Sequence, residues 1–249
     1  YTPHLNDNLF QPLLPEVRKS FDDGDENELN GKMRAVHSSS ALGVNIFQYW
    51  KSISKVPIIA AACGFCRKDS PEPRVIKFEE KCLISDNFSK HPNIDVVINC
   101  KPDSKIQCYA IECKFSEAYG YRKHSGLKEK YLKCTHLWDD IPSLRGLAER
   151  ISPDDSDFKH LHSAQLIKHI LGLKRKFGHS GFRLLYLWYD VLGEEGKRHR
   201  DETEQFALVA RNDGIKFHTL TYQELISKLA TELREGHNEY IQYLTERYL

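Results

Sequence analysis

The stretch Ile94-Asp95-Val96-Val97-Ile98-Asn99-Cys100, the turn-like Lys101-Pro102-Asp103-Ser104-Lys105, and Ile106-Gln107-Cys108-Tyr109-Ala110-Ile111-Glu112-Cys113-Lys114-Phe115 read as two strands around a tight turn. Val, Ile, Tyr and Cys suit the flanks, and Pro, Asp and Ser suit the turn. Centring the turn on Asp103-Ser104 makes an antiparallel hairpin in which Asn99 faces Cys108, Val97 faces Ala110 and Asp95 faces Glu112. The side-chain period of two then sets Lys114 on the face of Glu112, and Ile111, Cys113 and Phe115 on the other. One end of the hairpin thus concentrates Asp95, Glu112 and Lys114.

Two carboxylates about 5 Å apart repel each other unless a cation lies between them. Mg²⁺ or Mn²⁺ fits, because such ions take carboxylate oxygens, keep several waters and complete their shell with substrate phosphates. The ion would polarise a scissile phosphate and acidify a bound water, while the Lys114 ammonium orients that water or offsets developing negative charge. A plainer reading puts Glu112 and Lys114 in solvent on an edge strand, with Asp95 ending its partner. The apolar residues around Asp95, and Ala110-Ile111 before Glu112, oppose it, since charges in a central strand are costly unless paired or metal-bound.

Upstream, Val36, Leu42, Ile46, Phe47 and Trp50 recur at helical spacing after a candidate N-cap at Ser38, Ser39 or Ser40, and residues 75–84 read as a strand preceding the hairpin. Downstream, residues 116–157 look irregular, and Phe158, Leu161, His162, Leu166, Ile170, Leu173 and Phe177 mark one face of a long helix. Residues 182–189 form an apolar strand, 193–204 a charged loop, 206–210 and 215–220 short strands, and 222–233 a helix. That order describes an α/β domain around a mixed sheet, 31–249, preceded by an acidic N-terminal arm, 1–30, expected to carry little core.

The 249 residues, 40% hydrophobic and 29% charged, suit a folded chain large enough to need neither disulfides nor a structural metal. Thirty-six Lys and Arg against 35 Asp and Glu exclude a uniformly basic nucleic-acid coat, but not local patches. No apolar run is long enough to cross a bilayer, and the first residues show no secretory pattern. Seven scattered cysteines (Cys63, Cys66, Cys82, Cys100, Cys108, Cys113, Cys134) read as structural thiols in a reducing, cytoplasmic setting. Cys63-Gly64-Phe65-Cys66 also has the spacing of half a zinc site, which Cys134 and His136 would have to complete.

Ile94-Asp95, a gap of sixteen residues, and Glu112-Cys113-Lys114 resemble the signature of the PD-(D/E)xK nuclease superfamily. His37-Ser38-Ser39-Ser40-Ala41-Leu42 with Asn45 and Phe47, Lys77-Phe78-Glu79, Lys114-Phe115-Ser116-Glu117 and Gln165-Leu166-Ile167-Lys168-His169 resemble, in the same order, segments of its restriction-endonuclease-like branch. The resemblance spans roughly residues 36–230 and implies a restriction-endonuclease-like core: a mixed sheet flanked by helices, with the active site on an antiparallel hairpin. It implies Asp95 and Glu112 as metal ligands with the Cys113 carbonyl, Lys114 as the water-orienting residue, and Glu79, rather than Glu80, as the upstream acid. Ile94 stands where the superfamily name has Pro. Gln165 takes a supporting role toward water or phosphate, and Glu117 one toward Lys114 or a neighbouring basic residue.

Two clusters carry four net positive charges each. One holds Arg122, Lys123, Lys128, Lys130 and Lys133 with Tyr119, Tyr121 and Tyr131 interleaved; the other holds Lys168, Lys174, Arg175 and Lys176. Beside a nuclease site they would contact phosphates, and the aromatic rings could stack on unpaired bases. The expectation is a Mg²⁺- or Mn²⁺-dependent endonuclease acting on DNA, of a restriction or defence kind, with no membrane partner and a possible homodimer. The alternatives are a nucleic-acid-binding module that keeps the fold without cleaving, and a zinc- or thiol-based interaction protein.

Overall fold

In a computed structural model of the chain, which describes residues 1–23, 28–29, 31–120, 123–233 and 235–249, the expected hairpin lies inside a five-stranded sheet. Its strands are β1 (Pro73–Lys81), β2 (Asn93–Cys100), β3 (Cys108–Lys114), β4 (Phe182–Trp188) and β5 (Phe217–Thr221), in that spatial order. β1, β2 and β3 pair antiparallel, whereas β3, β4 and β5 pair parallel. Asn99 faces Cys108 and Val97 faces Ala110, the register that the alternation and the turn dictate. β3 is the central strand, and every residue from Cys108 to Cys113 is buried.

Each face of the sheet carries its own core. One includes Val96, Ile98, Tyr109, Ile111 and Cys113, with α2 (Ser39–Ser52), α3 (Val56–Ala62), α8 (Tyr222–Glu232) and α9 (Asn238–Tyr248) supplying the cover. The other includes Val97, Cys108, Ala110, Leu184 and Tyr186 under α4 (Glu129–Lys133), α5 (Pro142–Arg150), α6 (Ser163–Phe177) and α7 (Glu194–Asn212). α2 starts where the serine cap predicts, with the Ser38 hydroxyl accepting from Ala41 N at 3.2 Å. α6 packs so closely that a Cβ on Gly172 would lie 2.8 Å from the Cys82 Cβ and 3.0 Å from its carbonyl oxygen. Gly172→Ala should therefore lower stability by about 1–3 kcal/mol through overpacking, read as a lower urea midpoint at unchanged slope.

Besides the helix read from Phe158, which begins only at Ser163, three local expectations differ from the structure. The segment read as a charged loop and a strand at 206–210 is one helix, α7, whose buried face is Gly196, His199, Glu202, Thr203, Phe206 and Ala210. Half of that stripe is polar, so an apolar count cannot detect its helical period. The first residues also carry core rather than forming a loose arm: Leu9, Leu13, Val17 and Phe21 are buried, the last two on α1 (Pro15–Asp22). Two amides of α2 bind this segment's backbone. Asn45 accepts from Phe10 N at 2.8 Å and donates to Asn8 O at 3.0 Å, and Gln48 accepts from Leu14 N at 2.9 Å and donates to Pro12 O at 3.1 Å. Most of the acidic run, residues 24–27, lies outside the described residues.

The third difference is at residues 116–157, which contain α4 and α5. α5 begins at Pro142, and its first amides, Ser143 N and Leu144 N, donate to the Asp213 carboxylate at 2.9 and 2.7 Å. A cap supplied from seventy residues away in the chain has no local signature. No helix of the described residues is long and apolar enough to cross a membrane.

Candidate active site

β3 keeps its parallel ladder with β4 as far as Lys114 opposite Trp188, but its antiparallel ladder with β2 ends at Val96 opposite Ile111. Past that point a side chain takes over. Cys113 N donates to Asp95 Oδ2 at 2.7 Å, so the carboxylate satisfies the amide that the departing backbone leaves open. Asp95 and Glu112 are thus neighbours at the splayed end of the pair. The Cys113 side chain lies on the opposite face, where a Cβ on Gly43 of α2 would touch its sulfur at 3.5 Å.

Glu112 has no solvent exposure, and two cationic or donor groups meet its two oxygens. Lys114 Nζ lies 2.6 Å from Oε1, and His169 Nε2, on the equally buried His169 of α6, lies 2.7 Å from Oε2. Oε1 receives no well-directed hydrogen bond, its contact being the Lys114 ammonium. Burial by itself would raise the proton affinity of Glu112, but Lys114 and His169 overcome it and hold the carboxyl at about 2. For Asp95 the balance is opposite: burial, then the Glu112 charge, push its carboxyl well above the usual range against the pull of Lys114. Burial disfavours the charged Lys114, yet Glu112, Asp95 and Glu117 together hold its ammonium more firmly than usual.

Glu79 lies in β1 between Phe78, which faces Val96, and Glu80, which faces Ile94, and so stands at the register position of Asp95. Its backbone has φ of +51°, uncommon for a residue with a side chain, and its charge adds to the rise at Asp95. Glu80 instead pairs with Lys176 at 3.1 Å and Lys77 at 3.6 Å. Among the described residues no three His, Cys, Asp or Glu side chains are grouped to hold a metal. Glu79, Asp95 and Glu112 therefore do not close into a three-carboxylate cluster. The zinc alternative is also unsupported: Cys63 belongs to one core and Cys134 packs on the other, and all seven cysteines are free.

The helix face expected to flank the site is partly drawn inward. Gln165 is half-buried on α6, one turn from both His162 and His169. Lys168 is half-buried too, its ammonium destabilised by burial while the Glu112 charge opposes the shift. Lys123, Lys128 and Lys130 are exposed, with Lys130 Nζ 4.5 Å from the centre of the Phe88 ring; Arg122 lies outside the described residues. The rest of the second basic cluster is committed to internal partners. Lys174 donates to the carbonyl of Asp139, Arg175 binds Asp86 at 2.8 Å and Lys176 binds Glu80. Glu117 accepts from Phe115 N at 3.1 Å.

Three histidines that were not read as site residues complete the surroundings. The rings of His124 and His162 stack at 4.7 Å and 16°. Burial first, then His124, Lys114 and Lys168, push His162 down to about 4. Deeper in the same layer, His199 bonds the Tyr186 hydroxyl at 2.9 Å and the Tyr119 hydroxyl at 3.0 Å, and burial pushes it down to about 3. Both rings stay uncharged in the fold at pH values where an unfolded histidine, near 6.5, binds a proton. Acid therefore favours the unfolded chain, and stability should fall as pH drops from about 6.5 toward 4. The check is a urea midpoint lower at pH 5 than at pH 7, with a smaller difference in His199→Phe.

A family model described as Restriction Endonuclease associating with ARP matches the chain over residues 1–249. No curated protein and no solved structure matches it.

Proposed function

We propose, from the premise that this chain belongs to the family of restriction endonucleases associating with ARP, that it hydrolyses DNA phosphodiester bonds with the help of a divalent metal. The observation that carries this reading is a fully buried carboxylate, Glu112, held between Lys114 and His169 beside a second carboxylate, Asp95, of raised proton affinity. Such a grouping does little for the fold. Apolar residues of similar volume would serve a central strand as well or better.

The donor set suits Mg²⁺ or Mn²⁺ held by two carboxylates, since these ions commonly take one or two and complete their shell with water and phosphate oxygens. Asp95 and Glu112 would hold the ion, the Cys113 carbonyl is a further candidate ligand, and Glu79 stands beside Asp95 as an outer partner. When bound, the metal supplies Lewis-acid polarisation of the phosphate and a water of lowered pKa. Lys114, largely buried beside Glu112, would offer its ammonium to the oxygen that gains negative charge. Gln165 and Lys168, half-buried on the helix that carries His169, would bind water or a non-bridging phosphate oxygen. The family description adds association with ARP to the partners expected of this chain.

Incubation with supercoiled plasmid tests the reading: nicked or linear product should form with Mg²⁺ or Mn²⁺ and disappear with a chelator. Tight DNA binding without product in either metal would favour the non-cleaving module. Lys128→Ala and Lys168→Ala should each lower the slope of log affinity against log salt by about 0.9 for every phosphate the variant leaves unneutralised, measured by fluorescence anisotropy. An unchanged slope in both would remove them from the DNA interface.

A further inference from the structure

We propose that His169 is a positioning residue: it holds one oxygen of Glu112 so that the other faces Lys114 and the cation site before any metal arrives. This rests on the metal-nuclease reading and extends it to a residue on another element.

The geometry is specific. Both side chains are without solvent exposure, and the 2.7 Å hydrogen bond joins the sheet to α6 across 57 residues of sequence. A nitrogen facing a carboxylate at that distance donates, so the ring carries hydrogen on Nε2. Its Nδ1 is buried and meets no partner. Only one ring nitrogen is therefore in use, and its acceptor is Glu112.

Packing explains why the ring can act as a fixed donor. Leu166, Ile170 and Leu173 flank it on α6, all buried in the core that also receives Tyr186, the β4 neighbour of Glu112. For filling that core a leucine or phenylalanine would do as well, without an idle polar atom. What His169 adds is direction. Without the bond at Oε2, the carboxylate could rotate about its last torsion and offer both oxygens to Lys114, leaving neither aimed at a metal. Groups of this kind typically contribute 10–100-fold to metal affinity or activity when they fix a ligating carboxylate.

The test compares His169→Gln, which can restore a donor near the Nε2 position, with His169→Phe, which fills the space without one. Mn²⁺ affinity is read by calorimetry, plasmid cleavage by gel, and folding by urea unfolding. His169→Phe should lose 10–100-fold in Mn²⁺ affinity while still folding, and His169→Gln should recover most of it. In a Glu112→Ala background, His169→Phe should have no further effect on Mn²⁺ affinity. In metal-free wild type, nitrogen NMR should find the His169 hydrogen on Nε2, protected from exchange. Equal losses in the Phe and Gln variants, additivity with Glu112→Ala, or an Nε2 without hydrogen would overturn the positioning role. A wild type that binds no Mn²⁺ and cuts no DNA would overturn the nuclease reading and this role with it. A wild type that does both while His169→Phe matches it would overturn the role alone.

Discussion

Lys114→Met should cut plasmid DNA about 10²–10⁴-fold more slowly than wild type at saturating Mg²⁺, while folding normally. Methionine keeps the length and much of the packing of the lysine stem, so the substitution removes charge rather than volume. Two effects coincide. The oxygen that gains negative charge no longer meets an ammonium, and Glu112 Oε1 is deprived of the cation now 2.6 Å away. His169 remains on the other oxygen, so the buried carboxylate keeps a partner and the fold should survive. Single-turnover cleavage with enzyme in excess isolates the chemical step from DNA binding. Asp95→Ala and Glu112→Ala should lose as much, with weaker Mn²⁺ binding besides, whereas Lys114→Met should bind Mn²⁺ at least as well as wild type because a competing cation has gone. A Lys114→Met rate within tenfold of wild type would remove this residue from the active site.

The largest expected effect on stability lies at Glu202, which is 4% exposed on α7. Its Oε1 accepts from Lys159 N at 2.8 Å and Arg198 Nε at 3.0 Å, and its Oε2 accepts from His160 N at 2.8 Å and Leu161 N at 3.0 Å. One carboxylate thus satisfies three successive backbone amides in the segment leading into α6, where no strand or helix can do so. Glu202→Leu strands all three. At about 1–3 kcal/mol for each buried amide left unpaired, and with some relief from water, the loss should be about 3 kcal/mol or more. Glu202→Gln should cost less, because its amide oxygen still accepts. Urea unfolding at pH 7 checks both, and a loss under 1 kcal/mol for Glu202→Leu would contradict this account. Since α6 carries Gln165, Lys168 and His169, the leucine variant should also weaken Mn²⁺ binding.

The contrast between Lys114 and Glu202 illustrates what the amino-acid order reveals. Lys114 belongs to a strand whose alternation and turn could be read residue by residue, and the structure has the register that reading implies. Glu202 looks like one charge among many in a segment where residues 194–205 contain no strongly apolar side chain, so the helix, its buried face and the role of the carboxylate were all hidden. The acidic, proline-rich beginning of the chain misled in a similar way. Its apolar residues are sparse, and their burial depends on Asn45 and Gln48 of α2 binding the backbone between them.

Charge clustering by itself does not show which bases have partners within the chain. Lys174, Arg175 and Lys176 look like a phosphate-binding patch in one dimension, but Asp86 and Glu80, roughly ninety residues earlier, neutralise two of them and a carbonyl takes the third. Lys168, from the same cluster, is half-buried and feels the Glu112 charge. Helical periodicity divides such a run among several directions, and only the packing of α6 says where each direction leads.

Local order therefore determined the strand pairing at residues 94–115, the shared face of Glu112 and Lys114, and the opposition of Asp95 to Glu112, because a period of two and a tight turn act over a few bonds. Tertiary structure decided that Glu112 lies without solvent between Lys114 and His169, that Asp95 replaces the interrupted ladder by accepting from Cys113 N, and which lysines stay exposed. The reason is physical. Burial and long-range hydrogen bonds are properties of two elements packed together, and a histidine 57 residues away leaves no trace of its partner in the spacing of its neighbours.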